Sequence, residues 1–358
     1  MKRKLLIAVP LLCLVGLLAW WFRPKHETLG EAFVSERSVT LWGRVAQVRE
    51  PLGMLHYGDR VSIIARRNDN IEVRTAAGAV GWVDARNLMD PPLWQRSVKL
   101  LNQVRAMPVQ ARGRTKVSTN LRVEPGRTAP RLYQFGRGVP VEIVGRATAD
   151  WVQSTEERDS SGELAETKKE DWFLARGLAT RPPGENSARA AEANTTQPGD
   201  QTVPISGWVI GRFIELDLPG AVREGAASAN LRPLAWFELN RISDSSGDKP
   251  QYLVAAARGP EGQVCDFNAL RVYTWYAKKT RYETAYIENN LCGQMPVSVG
   301  KGPKGEPEFR FHVMDGNKEE RVYRLIQTVV RRIRERNDSA AKRSLVKAAK
   351  PAKKQAHP

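Results

Sequence analysis

The stretch that decides the fold occurs twice, as Gly58-Asp59-Arg60-Val61-Ser62-Ile63-Ile64-Ala65-Arg66 and as Gly138-Val139-Pro140-Val141-Glu142-Ile143-Val144-Gly145-Arg146. In both copies a glycine precedes apolar residues that alternate with other residues, which is typical of a half-buried β-strand after a tight turn. A second pattern recurs in the same order, with Gly81-Trp82-Val83 matched by Gly207-Trp208-Val209. The sequence therefore predicts one small β unit that is built twice.

The second copy carries an insertion between its central and closing strands. The first pattern repeats after 80 residues and the second after 126, so the second copy has 46 additional residues there. Most of the segment from 154 to 203 is polar and rich in Gly, Pro and Ser, which predicts a long loop. Asp171-Trp172-Phe173-Leu174-Ala175 is an apolar island and is expected to be a strand. The disordered part is expected near 180–203.

The combination of Gly-x-x-Val-x-Ile-Ile with a later Gly-Trp-Val resembles the bacterial Src-homology-3 family. Asn120-Leu121-Arg122-Val123-Glu124-Pro125-Gly126 is similar to an opening common in that family, whereas Ala46-Gln47-Val48-Arg49-Glu50-Pro51 departs from it. The resemblance implies two small Src-homology-3-like β-barrels, at 33–90 and 112–218. The apolar spacing after Asp90 predicts a short helical linker at 91–107 between them.

The aromatic residues of the two modules are candidates for a binding surface, because small barrels accept extended peptides along aromatic grooves. The alternative for Trp82 and Trp208 is that they close the barrel cores. The candidates in the modules are Trp82, Trp208, Trp151, Tyr57 and Tyr133.

The C-terminal third predicts an antiparallel β-domain over residues 229–336. Strand-like runs recur through it, and a polar turn at 277–280 predicts a hairpin. The last run, 321–333, has helical spacing but β-branched composition, and we expect a strand. The other predicted strands are 234–239, 251–256, 270–275, 282–287 and 308–313.

Tyr273 and Trp275 alternate with basic residues in this hairpin. On one face they would form a stacking surface for a sugar or an acidic peptide. The alternative, which we favour from the sequence, is that these rings fill the core of their own sheet.

The N-terminus predicts a membrane anchor within residues 1–26. Residues 5–22 are eighteen uncharged residues behind Lys2-Arg3-Lys4, close to the minimum for a transmembrane helix. The basic flank favours a cytoplasmic N-terminus, and the bulky Ala19-Trp20-Trp21-Phe22 argues against signal cleavage. We therefore expect a single-pass protein of the inner membrane with its bulk in the periplasm or otherwise outside the cytoplasm.

The chain is strongly basic, with a formal net charge of +17. Residues 318–358 contain thirteen Lys and Arg against four Asp and Glu, and 337–358 predict a disordered basic tail. Anionic wall polymers and lipid headgroups are expected partners for such a tail, and a solvated tail without a partner is the alternative. Nucleic acid is not expected, because it does not fit the compartment.

Catalytic and metal-binding patterns are sparse. The four histidines show no metal-ligand spacing, so neither a metal nor a cofactor is expected. Cys265 and Cys292 are the cysteines outside the anchor, and a disulfide and two buried thiols both remain open. Cys265 followed by His312 fits the order of a Cys–His peptidase, but Val264-Cys265-Asp266-Phe267 lacks the expected Asp-Cys-Ser-Gly context.

These observations favour a non-enzymatic envelope protein that contacts peptidoglycan or extended peptides near the membrane. One alternative is a peptidoglycan stem-peptide hydrolase of Cys/His type that uses Cys265 and His312. The other is a scaffold that binds a protein partner through the C-terminal β-domain.

Overall fold

The computed structural model describes residues 28–46, 49–151, 168–181, 201–314 and 319–333. The chain is mainly β, as predicted: within these ranges twenty-one strands form three antiparallel seven-stranded sheets, accompanied by two α-helices. The described residues group into two compact units. The first takes those up to Lys99, Arg131–Gln134 and those within 178–204, and the second takes the others.

The first sheet has the strand order β3-β2-β6-β5-β4-β1-β7. Because successive side chains of β4 and β5 point to opposite faces, Val61, Ile63, Ile71 and Val73 lie together in one core, as the period-two pattern predicted. The strands are β1 (Gly30–Val34), β2 (Ser38–Trp42), β3 (Pro51–His56), β4 (Arg60–Arg67), β5 (Asn70–Thr75), β6 (Val80–Asp84) and β7 (Leu88–Met89).

Helix α1 (Pro91–Val104) follows the first sheet, where the sequence predicted a helical segment at 91–107. Its first turn is capped by Asp90, whose Oδ1 accepts the backbone N–H of Leu93 at 2.8 Å. Proline suits the first helical position because it has no N–H to leave unpaired. Trp94 of this helix stacks on Phe33 of β1, with ring centroids 4.7 Å apart.

The second sheet repeats the topology of the first, in the order β10-β9-β13-β12-β11-β8-β14. Each strand corresponds to the strand seven places earlier in the chain, so the internal repeat predicted from the sequence is confirmed. The strands are β8 (Ala111–Thr115), β9 (Thr119–Arg122), β10 (Arg131–Phe135), β11 (Pro140–Asp150), β12 (Lys169–Arg181), β13 (Gln201–Ile210) and β14 (Ile214–Leu216).

The repeated glycines of the Gly-Trp-Val pattern are explained by close strand packing. A Cβ on Gly81 would stand 2.8 Å from both Leu41 Cγ and the Trp42 carbonyl oxygen. A Cβ on Gly207 would stand 2.6 Å from Leu121 Cγ and 2.7 Å from the Arg122 carbonyl oxygen. All four distances are shorter than a contact with a carbon atom allows, so the same local crowding requires glycine in both copies.

The third sheet is a meander in which each strand pairs with the next along the chain. It is preceded by helix α2 (Gly220–Ser228), which the sequence did not predict and which buries Val222 and Ala226. The strands are β15 (Arg232–Ile242), β16 (Lys249–Ala257), β17 (Phe267–Tyr276), β18 (Arg281–Lys301), β19 (Pro307–Val313), β20 (Glu320–Ile326) and β21 (Val329–Ile333).

Three sequence expectations are corrected by these strands. The run 321–333 is a hairpin and not one strand, because the chain turns at Gln327, whose φ is 56°. Strand β18 extends far beyond the predicted 282–287. The predicted disordered insertion near 180–203 overlaps the end of β12 and the start of β13, while 182–200 lie outside the described residues.

The expected anchor at residues 5–22 and the basic tail at 337–358 also lie outside the described residues. Within the described ranges, the structure contains no helix that is long and apolar enough to cross a membrane.

Candidate functional site

Trp151 is surrounded by positive charge at the ends of two long strands of the second sheet. Its backbone N–H donates to the carbonyl of Lys168 at 2.6 Å, which continues the pairing of β11 with β12. Three cations lie over its half-buried ring: Arg127 Cζ at 5.1 Å, Lys168 Nζ at 4.9 Å and Arg212 Cζ at 5.5 Å from the ring centroid. Each distance is within the range of a cation–π interaction.

Glu170 holds two of these cations in place. Its carboxylate is 1% exposed and accepts Arg127 Nε and Nη2 at 3.0 and 2.9 Å, in bidentate geometry. Arg212 Nη1 lies 3.0 Å from Glu170 Oε2. Burial raises the pKa of Glu170, but the hydrogen bonds and charges of Arg127 and Arg212 outweigh burial and lower it. Glu170 is therefore ionised at neutral pH and fixes both guanidinium groups beside the ring.

These five residues, Trp151, Arg127, Lys168, Arg212 and Glu170, form what we name the Trp151 cluster. Glu261 lies 3.7 Å from Arg212 and supplies a second carboxylate. Three cations against two carboxylates leave one positive charge in excess beside an aromatic ring. The arrangement suits a ligand that offers a carboxylate next to an apolar or planar group.

The neighbouring Asp171 stabilises the second unit from the opposite side of β12. It accepts hydrogen bonds from Arg146 and Arg232, and from the backbone N–H of Gly262 at 2.9 Å. Arg146 also donates to Asp266 Oδ1 at 3.3 Å. Burial raises the pKa of Asp266, whereas the pairing of Asp171 lowers its pKa despite burial. Because every charge in this group has a buried partner, we assign it a structural role.

Most of the other aromatic candidates in the modules pack against neighbouring side chains. Tyr57 and Tyr133 are 2% and 4% exposed and contact each other edge to face at 5.1 Å, so they offer no binding surface. Trp208 packs against the core residues Val104, Val144 and Leu174. Trp82 is half-buried and lies directly opposite Trp42 in the sheet.

The two C-terminal candidates differ from each other. Tyr273 is buried beneath helix α2, in the core that contains Val222 and Ala226. Trp275 is half-buried, and Lys249 Nζ lies 4.9 Å from its ring centroid.

Cys265 and Cys292, whose pairing the sequence left open, are joined by a disulfide with their Cα atoms 4.9 Å apart. His312 is exposed on β19 and pairs with Gln294. Since residues two apart on a strand share a face, Cys292 and His312 lie on the same face. In the disulfide-bonded form neither cysteine is a thiolate, so neither is a nucleophile. Among the described residues no group of three or more His, Cys, Asp or Glu could hold a metal ion.

The cations of the Trp151 cluster were missed at the sequence level, although Trp151 itself was a candidate. They come from three segments that only folding brings together. The sequence contained one signal for Arg212, because it follows the second Gly-Trp-Val pattern at the same position as Arg86 follows the first.

No protein-family model matches the chain, and no curated protein matches it. Solved structures similar to it include NlpC2 from Trichomonas vaginalis, with 9% identity, a TM-score of 0.16 and coverage of 85% of this chain and 91% of that chain. An NlpC/P60 family protein from Bacillus cereus has 11% identity, a TM-score of 0.22 and coverage of 73% and 94%. NlpC1 from Trichomonas vaginalis has 9% identity, a TM-score of 0.17 and coverage of 74% and 94%.

At these TM-scores the structures do not superpose, so neither their fold nor their site residues are transferred to this chain. The expected membership of the Src-homology-3 family is nevertheless corrected, because the similar structures carry NlpC/P60 names and no family model matches. The same names contradict the expectation that the chain is a binding protein and not an enzyme.

Proposed function

We propose that this chain acts on peptidoglycan as a stem-peptide hydrolase and receives the acidic stem peptides at the Trp151 cluster. The observation that carries the proposal is the ring of three cations around Trp151, two of them fixed by the buried Glu170. Peptidoglycan stems combine free carboxylates with short aliphatic side chains. A carboxylate would find guanidinium donors at this site, and the aliphatic part would lie against the indole.

A further feature supports the choice of peptidoglycan among acidic peptides. The charge of +17 favours association with an anionic polymer. Residues 5–22 would hold the chain at the inner membrane with its bulk outside the cytoplasm, where peptidoglycan lies.

The third sheet contains the residues that cleavage of the stem would need. The Met314 N–H donates to the Cys292 carbonyl at 2.8 Å, and His312 pairs with Gln294, so His312 is the diagonal neighbour of Cys292. Cα atoms in such diagonal pairs are about 7–8 Å apart, within reach of side chains that reorient. The structure thus brings Cys292 near His312, whereas the sequence pattern suggested Cys265. A dithiol reductant would first have to convert the disulfide to two thiols, after which His312 could accept the proton of Cys292.

Retention on purified sacculi tests the binding step. We expect the full-length protein to bind sacculi, and Trp151→Ala to reduce retention at least tenfold. Trp42→Ala is the matched control, because Trp42 is also half-buried and has Arg49 5.9 Å from the centroid of its ring. Sacculi whose carboxylates have been amidated should lose the protein as well. Equal retention of Trp151→Ala and wild type would reject the Trp151 cluster as the site.

Release of stem fragments from the same sacculi tests the catalytic step. With dithiothreitol present we expect fragments from the wild-type protein and none from Cys292→Ser or His312→Ala. Retention without any release from the reduced protein would reject hydrolysis by this pair. Absence of both retention and release would overturn the proposed function.

A further inference from the structure

Four aromatic rings form a row across the third sheet. Trp236, Tyr252, Tyr282 and Trp275 follow one another with ring centroids 6.2, 5.8 and 5.4 Å apart. Each of the four residues is half-buried. We name these four residues the aromatic row.

The register of the strands places the row on one face. Tyr252 pairs with Tyr273, and Trp275 pairs with Tyr282. Because Tyr273 and Trp275 are two residues apart on β17, all four side chains lie on the same face of the sheet. Trp236 joins them through its pairing with Val254, two residues from Tyr252. The row therefore crosses four neighbouring strands, β15 to β18.

Helix α2 covers only the adjoining part of this face. It rests on Tyr273 at Gly225, where a Cβ would come 2.5 Å from the tyrosine ring. The core beneath the helix contains Val222, Ala226 and Tyr273, with Trp236, Tyr252 and Tyr282 packed at its margin. The row thus continues from the buried core beneath the helix to residues that are only half-buried.

Polar groups of both signs accompany the row. Lys249 Nζ lies 4.9 Å from the centre of the Trp275 ring. Glu238 is directly opposite Tyr252 and accepts two hydrogen bonds from Arg241, at 2.6 and 3.1 Å. Asp244 interacts with Lys249 and Trp275, and Asp248 interacts with Arg241. Two bases therefore face three carboxylates, in contrast to the positive excess of the Trp151 cluster.

We propose that the aromatic row binds an uncharged saccharide chain. The C–H faces of sugar rings carry slight positive charge and pack on the negative faces of aromatic rings. Sugar hydroxyls would hydrogen-bond with Glu238, Lys249 and the tyrosine hydroxyls. Surroundings without an excess of positive charge favour a neutral polyhydroxylated polymer over an acidic peptide, which would need uncompensated cations. This inference uses residues remote in sequence from the Trp151 cluster and stands or falls separately from the proposed function.

Titration of the full-length protein with the tetrasaccharide of N-acetylglucosamine tests the proposal, with calorimetry and tryptophan fluorescence as readouts. We expect Trp275→Ala and Tyr282→Ala each to weaken binding at least tenfold, while Trp275→Phe retains most of it. Tyr276→Ala is the matched control and should change affinity less than twofold, because Tyr276 is exposed, lies outside the row and has Lys279 over its ring at 5.4 Å.

Four outcomes decide the question. Binding by wild type that is lost in the row variants and kept in both Tyr276→Ala and Trp151→Ala supports the proposal. No heat and no fluorescence change with wild type at millimolar tetrasaccharide overturns it, whatever the sacculus experiments show. Equal losses in Tyr276→Ala and Trp275→Ala also overturn it. Binding of a poly-glutamate peptide in place of the tetrasaccharide overturns the assignment of an uncharged ligand. The conservative Trp275→Phe and the wild-type titration keep the proposal falsifiable where an alanine variant of the row fails to fold, since the absence of wild-type binding overturns it without any variant.

Discussion

The side-chain amide of Gln110 pairs with the backbone of Val297, 187 residues further along the chain. Gln110 Nε2 donates to the Val297 carbonyl at 3.1 Å, and its Oε1 accepts the Val297 N–H at 2.8 Å. Both residues are fully buried. The Gln110 carbonyl also accepts the N–H of Trp236 at 2.9 Å, so this one residue joins the second and third sheets.

Gln110→Leu should destabilise the protein by about 2–4 kcal/mol, because it leaves a buried N–H and a buried carbonyl of Val297 without partners. Urea denaturation followed by circular dichroism measures the change. Gln134→Leu is the control, since Gln134 is exposed on β10, and it should change stability by less than about 0.5 kcal/mol. Similar losses in both variants would show that the Gln110–Val297 pairing contributes little.

Asp171→Asn should lower stability by about 3–5 kcal/mol at pH 7, because it removes the buried one of the two carboxylates that pair with the buried guanidinium of Arg146. The pKa of Asp171 in the folded protein lies below its unfolded value. The ionised form therefore stabilises the fold above the unfolded pKa of about 3.9, and this contribution is lost as the pH falls through the folded value.

The deficit of Asp171→Asn should accordingly shrink in urea titrations taken from pH 7 towards pH 3. Asp217→Asn is the control for an exposed pair, since Asp217 is 48% exposed and lies 3.7 Å from Arg114. It should cost less than about 1 kcal/mol. A deficit for Asp171→Asn that is independent of pH would contradict the assignment.

Gly207→Ala should cost more than about 2 kcal/mol, since the added Cβ would overlap Leu121 and the Arg122 carbonyl. Gly81→Ala should also lower stability, through the same crowding in the first sheet. Gly136→Ala, where nothing lies within 4 Å of the added Cβ, should be nearly neutral. Thermal melts of the three variants compare them directly, and a neutral Gly207→Ala would refute the crowding argument.

Glu288→Gln should make two tyrosines easier to ionise. The hydroxyls of Tyr286 and Tyr323 both donate to Glu288 Oε2, at 2.9 and 2.8 Å. Burial, and then the hydrogen bond to Glu288 and its charge, raise both pKa values above the ordinary 10. Because the folded pKa values exceed the unfolded ones, the neutral tyrosines stabilise the fold fully at neutral pH, and stability falls as the pH rises above about 10.

Spectrophotometric titration at alkaline pH measures this effect. In Glu288→Gln two of the eight tyrosines should titrate at lower pH than in wild type. Glu283→Gln is the control, because Glu283 pairs with Lys279 and Arg281 rather than with a tyrosine. An unchanged titration of Glu288→Gln would show that burial alone sets these pKa values.

The strands of the repeat could be predicted because their signal is local. Alternation in Val61-Ser62-Ile63 and in Val141-Glu142-Ile143 reports directly which side chains enter a core. Helix α2 could not be predicted in the same way. It is a segment of nine residues with five Gly and Ala, and Val222 and Ala226 are buried because they pack against residues of the third sheet.

The sites depended on long-range contacts and were accordingly harder to predict. Aromatic residues alone did not distinguish Tyr57, which is buried, from Trp151, which is ringed by cations. The difference lies in Arg127 and Arg212, residues that no sequence spacing connects to Trp151. The fate of Cys265 likewise depended on whether folding brought Cys292 close enough to bond.

The duplicated sheet has a consequence for how the Trp151 cluster could have arisen. In the first copy, β4 and β5 are joined by the tight turn Asn68-Asp69, with Asn68 at φ 51°. At the same place in the second copy, the strands run on to the pair Asp150 and Lys169, and the Trp151 cluster lies at their ends. Once a fold exists twice in one chain, one copy is free to lengthen its strands and gather charge while the other keeps the short form. Evolutionary novelty at Trp151 would then have required no change in the first sheet.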